Sequence, residues 1–313
     1  MIRIFKTEDG IMHEKEELQP GSWIAMTNPT ASEIMDIADT YRIDPDHIKA
    51  PLDEEERSRI EVEDNYTLIL VDIPSIEERS GKDWFVTIPM AIITTNDVLI
   101  TVCLEETPVL TSFMDGRVRD FHTFMKTRFI LQILYKNATQ YLQYLRIIDK
   151  KSEVIERKLH QSQKNEELIE LLELEKSLVY FTTSLRSNEV VLEKLLRTEK
   201  VKKYPEDTDL LEDVIIENKQ AIEMANIYSG ILSGTMDAFA SVISNNLNIV
   251  MKFLATITIV MSIPTMVASF YGMNVNSRGM PFADSPYGFV IVMGFTLVLT
   301  LIVAWIFSKK DLF

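Results

Sequence analysis

Two apolar runs near the C-terminus constrain this chain more than any other feature. The first, Phe253 to Phe270, breaks at Tyr271-Gly272-Met273-Asn274. A sixteen-residue loop follows up to Tyr287, and the second run goes from Gly288 to Phe307. Neither run contains Asp, Glu, Lys, Arg or His. About 20 residues of helix cross the ~30 Å hydrocarbon core of a bilayer. The pair therefore reads as a membrane hairpin with a short polar tip. Lys252 precedes the first run, Lys309-Lys310 follow the second, and the loop between carries only Arg278. The positive-inside rule then puts both termini in the cytosol and the Gly-Met-Asn turn outside. A multi-pass protein of the plasma membrane is expected.

The rest of the chain is acidic. Of 313 residues 46% are hydrophobic, and the net charge is -15. That balance argues against a nucleic-acid partner, which needs a basic patch, and is compatible with attracting cations. The single cysteine, Cys103, lies in an apolar strand-like run. It excludes an intrachain disulfide and a Cys/His zinc cluster, and reads as a small buried hydrophobe. Met1 to Lys6 hold no long apolar region, so no signal peptide is expected and the N-terminal part is placed in the cytosol. His13, His47, His122 and His160 are scattered, and no nucleophile–base arrangement is visible. No G-x-x-x-x-G-K is present, so neither an enzyme nor a nucleotide-driven pump is implied.

Residues 1–116 read as a cytosolic α/β domain. Tyr66–Val71, Trp84–Ile88, and Ala91–Thr94 continuing at Val98–Val102 are β-branched strand runs, with a turn at Asn96-Asp97. Thr30-Ala31-Ser32-Glu33 has capping-box spacing and opens a short helix through Ala38. The Asp53–Glu56 run reads as a solvated face. Residues 117–206 form an antiparallel helical pair, with helices over 117–160 and 165–198 turning around Gln161–Lys164 and ending at Lys202–Pro205. No proline falls between Pro108 and Pro205, and apolar residues recur at three and four: Leu131, Leu134, Tyr135, Ala138, Leu142, Leu145 and Ile148, then Leu168, Leu171, Leu172 and Leu178. Residues 207–246 are a stalk helix that continues into transmembrane helix 1 at 247–271. A helix over 208–270 would be about 95 Å long. Its seam of Leu210, Val214, Glu217, Ala221, Ala225, Tyr228, Leu232, Thr235, Phe239 and Val242 approaches a heptad pattern and suggests a symmetric oligomer, with packing against its own domain as the alternative. An external loop at 272–287, transmembrane helix 2 at 288–308 and a basic tail at 309–313 complete the layout.

On a helical wheel, Asp237, Ser244, Asn248, Met251, Leu254, Thr258, Ser262, Thr265 and Ser269 fall within an arc of about 120°. Small polar side chains can glue bilayer helices together, but that leaves Asn248 and Asp237 unexplained. A water-filled conduit would use all of them. Mg²⁺ dehydrates reluctantly and suits such outer-shell contact. Pro264, inside the span, removes one helical hydrogen bond.

A Gly-Met-Asn tripeptide after Tyr271, at the outer end of a penultimate span, resembles the CorA family of divalent-cation channels. The resemblance covers nearly the whole chain. It implies an α+β cytosolic domain, a long helical stalk and two C-terminal transmembrane helices, assembled as a funnel-shaped homopentamer in the lipid bilayer. The first span would line the pore, with Mg²⁺ as substrate and regulatory ligand and Co²⁺ and Ni²⁺ often carried. The selectivity filter maps onto Gly272, Met273 and Asn274 with Tyr271 beside it. Asn248 to Leu254 match the inner pore entrance, and Asp237 matches an acidic ring. Asp213 matches a regulatory metal position, with Asp72 of a neighbour as its expected partner. Ile263-Pro264-Thr265 resembles the family's Pro-X-Thr segment with the spacer shortened. The chain departs from the pattern at Ser262, where several family members carry Met. It also departs at Met280-Pro281-Phe282, where the loop often has Met-Pro-Glu, leaving Asp284 as the only acid. Met273 argues against the zinc-transporting branch, which tends to have Gly-Ile-Asn. The expected function is a passive Mg²⁺ channel gated by intracellular Mg²⁺. A Zn²⁺ or proton-coupled transporter of the same architecture, or a membrane-tethered coiled-coil scaffold, is the alternative.

Overall fold

A seven-stranded sheet in the order β2-β1-β3-β7-β6-β5-β4 organises the N-terminal part of the protein. The structure is a computed structural model and describes residues 1–79, 81–162, 165–198, 205–274, 279–282 and 285–309. The expected turn at Gln163-Lys164, the break at Lys202–Tyr204, and Arg278, Asp284 and Lys310 lie outside the described residues. The strands are β1 (Ile2–Glu8), β2 (Ile11–Lys15), β3 (Trp23–Thr27), β4 (Arg59–Val62), β5 (Tyr66–Arg79), β6 (Lys82–Thr95) and β7 (Leu99–Cys103). All neighbours are antiparallel except β3 and β7. The helices are α1 (Ala31–Tyr41), α2 (Pro45–Lys49), α3 (Pro108–Met114), α4 (Lys126–Ser162), α5 (Asn165–Arg197), α6 (Pro205–Tyr271) and α7 (Gly288–Lys309). Two compact units result, Met1–Met236 and Asp237–Phe313.

The central strands read as unbroken apolar runs because both faces of the sheet are covered, and side chains alternate between them. Leu68, Leu70, Ala91, Ile93, Ile100 and Val102 pack with Ile34, Ile37 and Ile48 of α1 and α2. Ile69, Val71, Met90, Ile92 and Leu99 pack with Phe129, Ile133 and Leu134 of α4 and with Val191, Leu192 and Leu195 of α5. Trp23, fully buried, meets Phe129 edge-on at 5.1 Å, and its indole N–H donates to Thr101 Oγ1 at 2.9 Å. The polar tip is thereby satisfied inside the core. Cys103 is buried at the end of β7, and burial pushes its thiol up to about 11, away from reactivity.

The Thr30–Glu33 capping box forms, and its helix runs on to Tyr41. Thr95 Oγ1 accepts from the Asp97 and Val98 amides and closes the expected turn. The first long helix starts at Lys126, not near 117. In the intervening stretch Phe121 meets Phe113 and Phe129 edge-on at centroid distances of 5.0 and 4.4 Å. Thr123 and Thr7 exchange amide-to-hydroxyl bonds of 2.9 and 3.2 Å. Those bonds tie the segment to β1 and divert it from helix. Every stripe residue expected on α4 is buried or half-buried, whereas Leu172 on α5 is exposed.

The seam expected on the stalk is covered by the chain itself. Leu211 and Val214 join the core beneath the sheet, Ala221, Ala225 and Leu232 are buried, and the Asn218 amide donates to Leu185 O at 3.0 Å. Own-domain packing therefore accounts for that stripe as far as Leu232. Val242, the last seam residue, is exposed, and within the first unit α6 also leaves Ile216, Ile227 and Ile231 exposed.

Candidate ion-conduction site

Within the second unit, α6 and α7 are each long and apolar enough to cross a membrane. Thr256 is buried and Val260, Ile263, Pro264 and Val267 are half-buried, all on one side of α6. Pro264, Val267 and Ala268 share a groove with Val292, Thr296 and Thr300 of α7. The second helix therefore covers the apolar side of the first. The opposite side is bare: Asp237, Ser244, Asn248, Met251, Leu254, Thr258, Ser262, Thr265 and Ser269 are all exposed. The structure thus brings the expected stripe together on one uncovered helix face.

The hydroxyls on this face are oriented. Thr258 Oγ1 donates to Leu254 O at 2.8 Å, Ser262 Oγ to Ile259 O at 2.7 Å and Thr265 Oγ1 to Met261 O at 3.1 Å. A hydroxyl has one proton and two lone pairs. With the proton returned to the helix backbone, each oxygen offers only acceptor lone pairs outward. The water shell of a cation presents only donors. These three hydroxyls can therefore face the water shell of a hydrated cation.

The Gly-Met-Asn turn ends α6. The Gly272 amide continues the helix to Ala268 O at 2.9 Å, and the Met273 amide tightens it to Phe270 O at 3.3 Å. Asn274 follows the helix end, exposed. Gly272 is outside the left-handed region that favours glycine. What it supplies is room, since a Cβ there would lie 3.3 Å from Ala268 O. Tyr271 points away from the stripe, and its hydroxyl donates to Pro281 O at 2.8 Å.

The two regulatory candidates differ in setting. Asp213 is exposed on α6, on one face with Ile216, Gln220 and Ile227. Asp72 does not end a strand: β5 continues through Arg79 and places it mid-strand. Its backbone carbonyl accepts from Asn137, Tyr141 and Asn188 at 2.9, 3.2 and 2.7 Å. Ser184 and Ser58 lie against the carboxyl and favour its charged form, but burial outweighs them and holds it above the usual carboxylate range. Among the described residues no three His, Cys, Asp or Glu side chains of the chain converge as a metal site.

The Asp72 shift has a sign that can be tested. Between the unfolded carboxylate range and the raised folded value, the folded chain holds more protons than the unfolded one. Stability therefore falls as pH rises through that window, and the ionised carboxyl destabilises the fold above it. Asp72→Asn is expected to raise the melting temperature of the full chain in detergent at pH 8, with the gain shrinking as pH falls through that window. A gain constant across that range, or a loss at pH 8, would mean that charge is not the destabilising element.

Residues 19–310 match the CorA family, described as CorA-like Mg2+ transporter protein. The cobalt/magnesium transport protein CorA of Methanocaldococcus jannaschii is 27% identical over 297 residues, 92% of this chain and 90% of that protein. The Thermotoga maritima protein of the same name is 23% identical over 316 residues, 99% of this chain and 88% of its own. The complete structure of the M. jannaschii CorA magnesium transporter superposes with a TM-score of 0.86 at 25% identity, covering 99% of this chain and 98% of the other. A family match from Gln19 to Lys310, on a chain with a sheet domain, long helices and two C-terminal apolar helices, makes this protein a member of the CorA family.

Proposed function

We propose that the chain assembles as a homopentamer in the plasma membrane and forms a passive channel for hydrated Mg²⁺, with Co²⁺ and Ni²⁺ also carried. The observation that carries this reading is the bare face of α6, where every bonded hydroxyl returns its proton to the helix. One such face encloses nothing. Several copies around an axis would line a channel with acceptor oxygens, and the number five comes from the family resemblance. The relatives in M. jannaschii and T. maritima are named for cobalt and magnesium transport. An inside-negative potential is worth about 2.3 kcal/mol per charge per 100 mV, so a divalent ion gains about twice that on entry. A coiled-coil scaffold gives the stripe no role. A Zn²⁺ or proton-coupled transporter keeps the stripe but predicts inhibition by Zn²⁺ and pH dependence.

The test is Mg²⁺ and Co²⁺ uptake into liposomes containing the purified chain, with an imposed inside-negative potential. Uptake should scale with the potential and be independent of a pH gradient. Absence of uptake by assembled protein, or dependence on the pH gradient, would overturn the reading.

Intracellular Mg²⁺ would close this channel at a site between copies, built on Asp213. Its face of α6 is exposed and carries the isoleucines that the chain leaves uncovered. Asp72 of a neighbour, the proposed partner, would have to leave Ser58 and Ser184 to reach a cation. Without bound cations, subunits of charge -15 should repel one another. Asp213→Lys would put a fixed positive charge where the ion sits. It is expected to make protease protection insensitive to Mg²⁺, and a parental Mg²⁺ titration would count against the site.

A further inference from the structure

We infer that the Gly-Met-Asn turn is set by a backbone clamp on the far side of the hairpin tip. In it the successive carbonyls of Pro281 and Phe282 are fixed between the Tyr271 hydroxyl and the bare Cα of Gly288. The inference rests on reading Gly272 to Asn274 as the ion-recognition turn, and it makes Tyr271 and Gly288 positioning residues.

Four observations converge on these two peptide units. Tyr271 is the last residue of α6 and donates to Pro281 O at 2.8 Å. Phe282 has a φ of 62°, a left-handed conformation that an aromatic residue adopts only under constraint. Its carbonyl accepts from the Ser285 amide at 3.2 Å, and Ser285 O accepts from the Gly288 amide at 2.9 Å. Ser285 thus links the strained Phe282 to the first residue of α7. Gly288 is also the buried residue of that helix, and a Cβ on it would be driven into the Phe282 carbonyl oxygen.

The arrangement is over-determined, as a strained conformation must be to persist. The Phe282 carbonyl cannot retreat from Gly288 without pulling Pro281 O off the Tyr271 hydroxyl. Tyr271 is covalently followed by Gly272-Met273-Asn274, so the clamp fixes the root of the turn. Among the described residues the turn itself makes no such bonds: the Met273 amide reaches back to Phe270, and Asn274 is exposed. Its aim is therefore set from behind. The glycine at 288 is required by close approach alone, since its φ is not left-handed.

The experiment measures initial Mg²⁺ uptake against external Mg²⁺ in liposomes carrying full-length variants, with assembly checked by size-exclusion chromatography. Tyr271→Phe keeps the ring and removes one hydrogen bond. It should raise the Mg²⁺ concentration for half-maximal uptake by roughly two- to tenfold, with less effect on the maximal rate. Gly288→Ala should shift it further. Adding Phe282→Gly to Gly288→Ala should recover part of the loss, because glycine relaxes a left-handed position and frees the carbonyl to move.

Parental half-saturation in assembled Tyr271→Phe overturns the clamp, as does a fall in stability or maximal rate alone. If Gly288→Ala fails to assemble, Tyr271→Phe still decides. Asn274→Ala separates the turn from the clamp. Parental uptake by that variant removes the recognition turn itself. Loss of uptake there, beside a silent Tyr271→Phe, removes only the clamp.

Discussion

Asn274→Ala is expected to reduce Mg²⁺ uptake by more than roughly 100-fold in a protein that still assembles. The side chain follows the last turn of α6, is exposed, and is not part of the packing between α6 and α7. Its removal should leave the fold intact. On the proposed filter reading, what is lost is a carbonyl oxygen aimed at the water shell of an incoming cation. A hydrogen bond to a charged partner contributes about 1.5–3 kcal/mol, and in a symmetric ring every copy is lost together. Each 1.4 kcal/mol is a factor of ten, so even partial non-additivity leaves more than two decades. Gly272→Ala should be milder than a left-handed glycine would imply, because its Cβ meets Ala268 O at 3.3 Å without backbone strain. Uptake is read in liposomes and assembly by size-exclusion chromatography. Normal uptake by assembled Asn274→Ala would sink the filter assignment.

What the sequence disclosed, and what it hid, follows from the range of the forces involved. The spans, the capping box at Thr30 and the long helices rest on composition and on periods of three and four, which are local. The hydroxyl stripe was legible for the same reason. The strands β1 and β2 were not read, although Asp9-Gly10 between them carries the hairpin signature and both residues adopt positive φ. Charged residues alternating along these outer strands masked their apolar face. β5 and β6 run past Pro74 and Pro89, which broke the apolar pattern and placed Asp72 at a strand end it does not occupy.

The stalk seam shows a deeper limit. Periodicity says which face of a helix is covered but not by what, and here the covering comes from the chain's own core at Leu211 and Val214. Gly288 shows the same limit at one residue. Nothing local marks it, because its requirement comes from the Phe282 carbonyl brought against it by the turn.

Leu254→Ser is expected to raise Mg²⁺ uptake on the order of tenfold and to blunt its inhibition by internal Mg²⁺. Of the nine stripe residues Met251 and Leu254 are the two large apolar ones, and both are more than half exposed, at 57% and 53%. The covered side of α6 lies opposite, so neither is engaged by α7. In a ring of copies they would form two stacked apolar collars near the cytosolic end. A narrow apolar collar gates by dewetting, since a hydrated divalent ion finds no replacement ligands there. The neighbouring Thr258 already returns its proton to Leu254 O, so a serine at 254 would extend a lone-pair surface that begins one turn away. Lowering the barrier by about 1.4 kcal/mol gives the tenfold figure. Stopped-flow uptake at low and high internal Mg²⁺ reads both effects. A Leu254→Ser pentamer that conducts and inhibits like the parent would place the gate elsewhere.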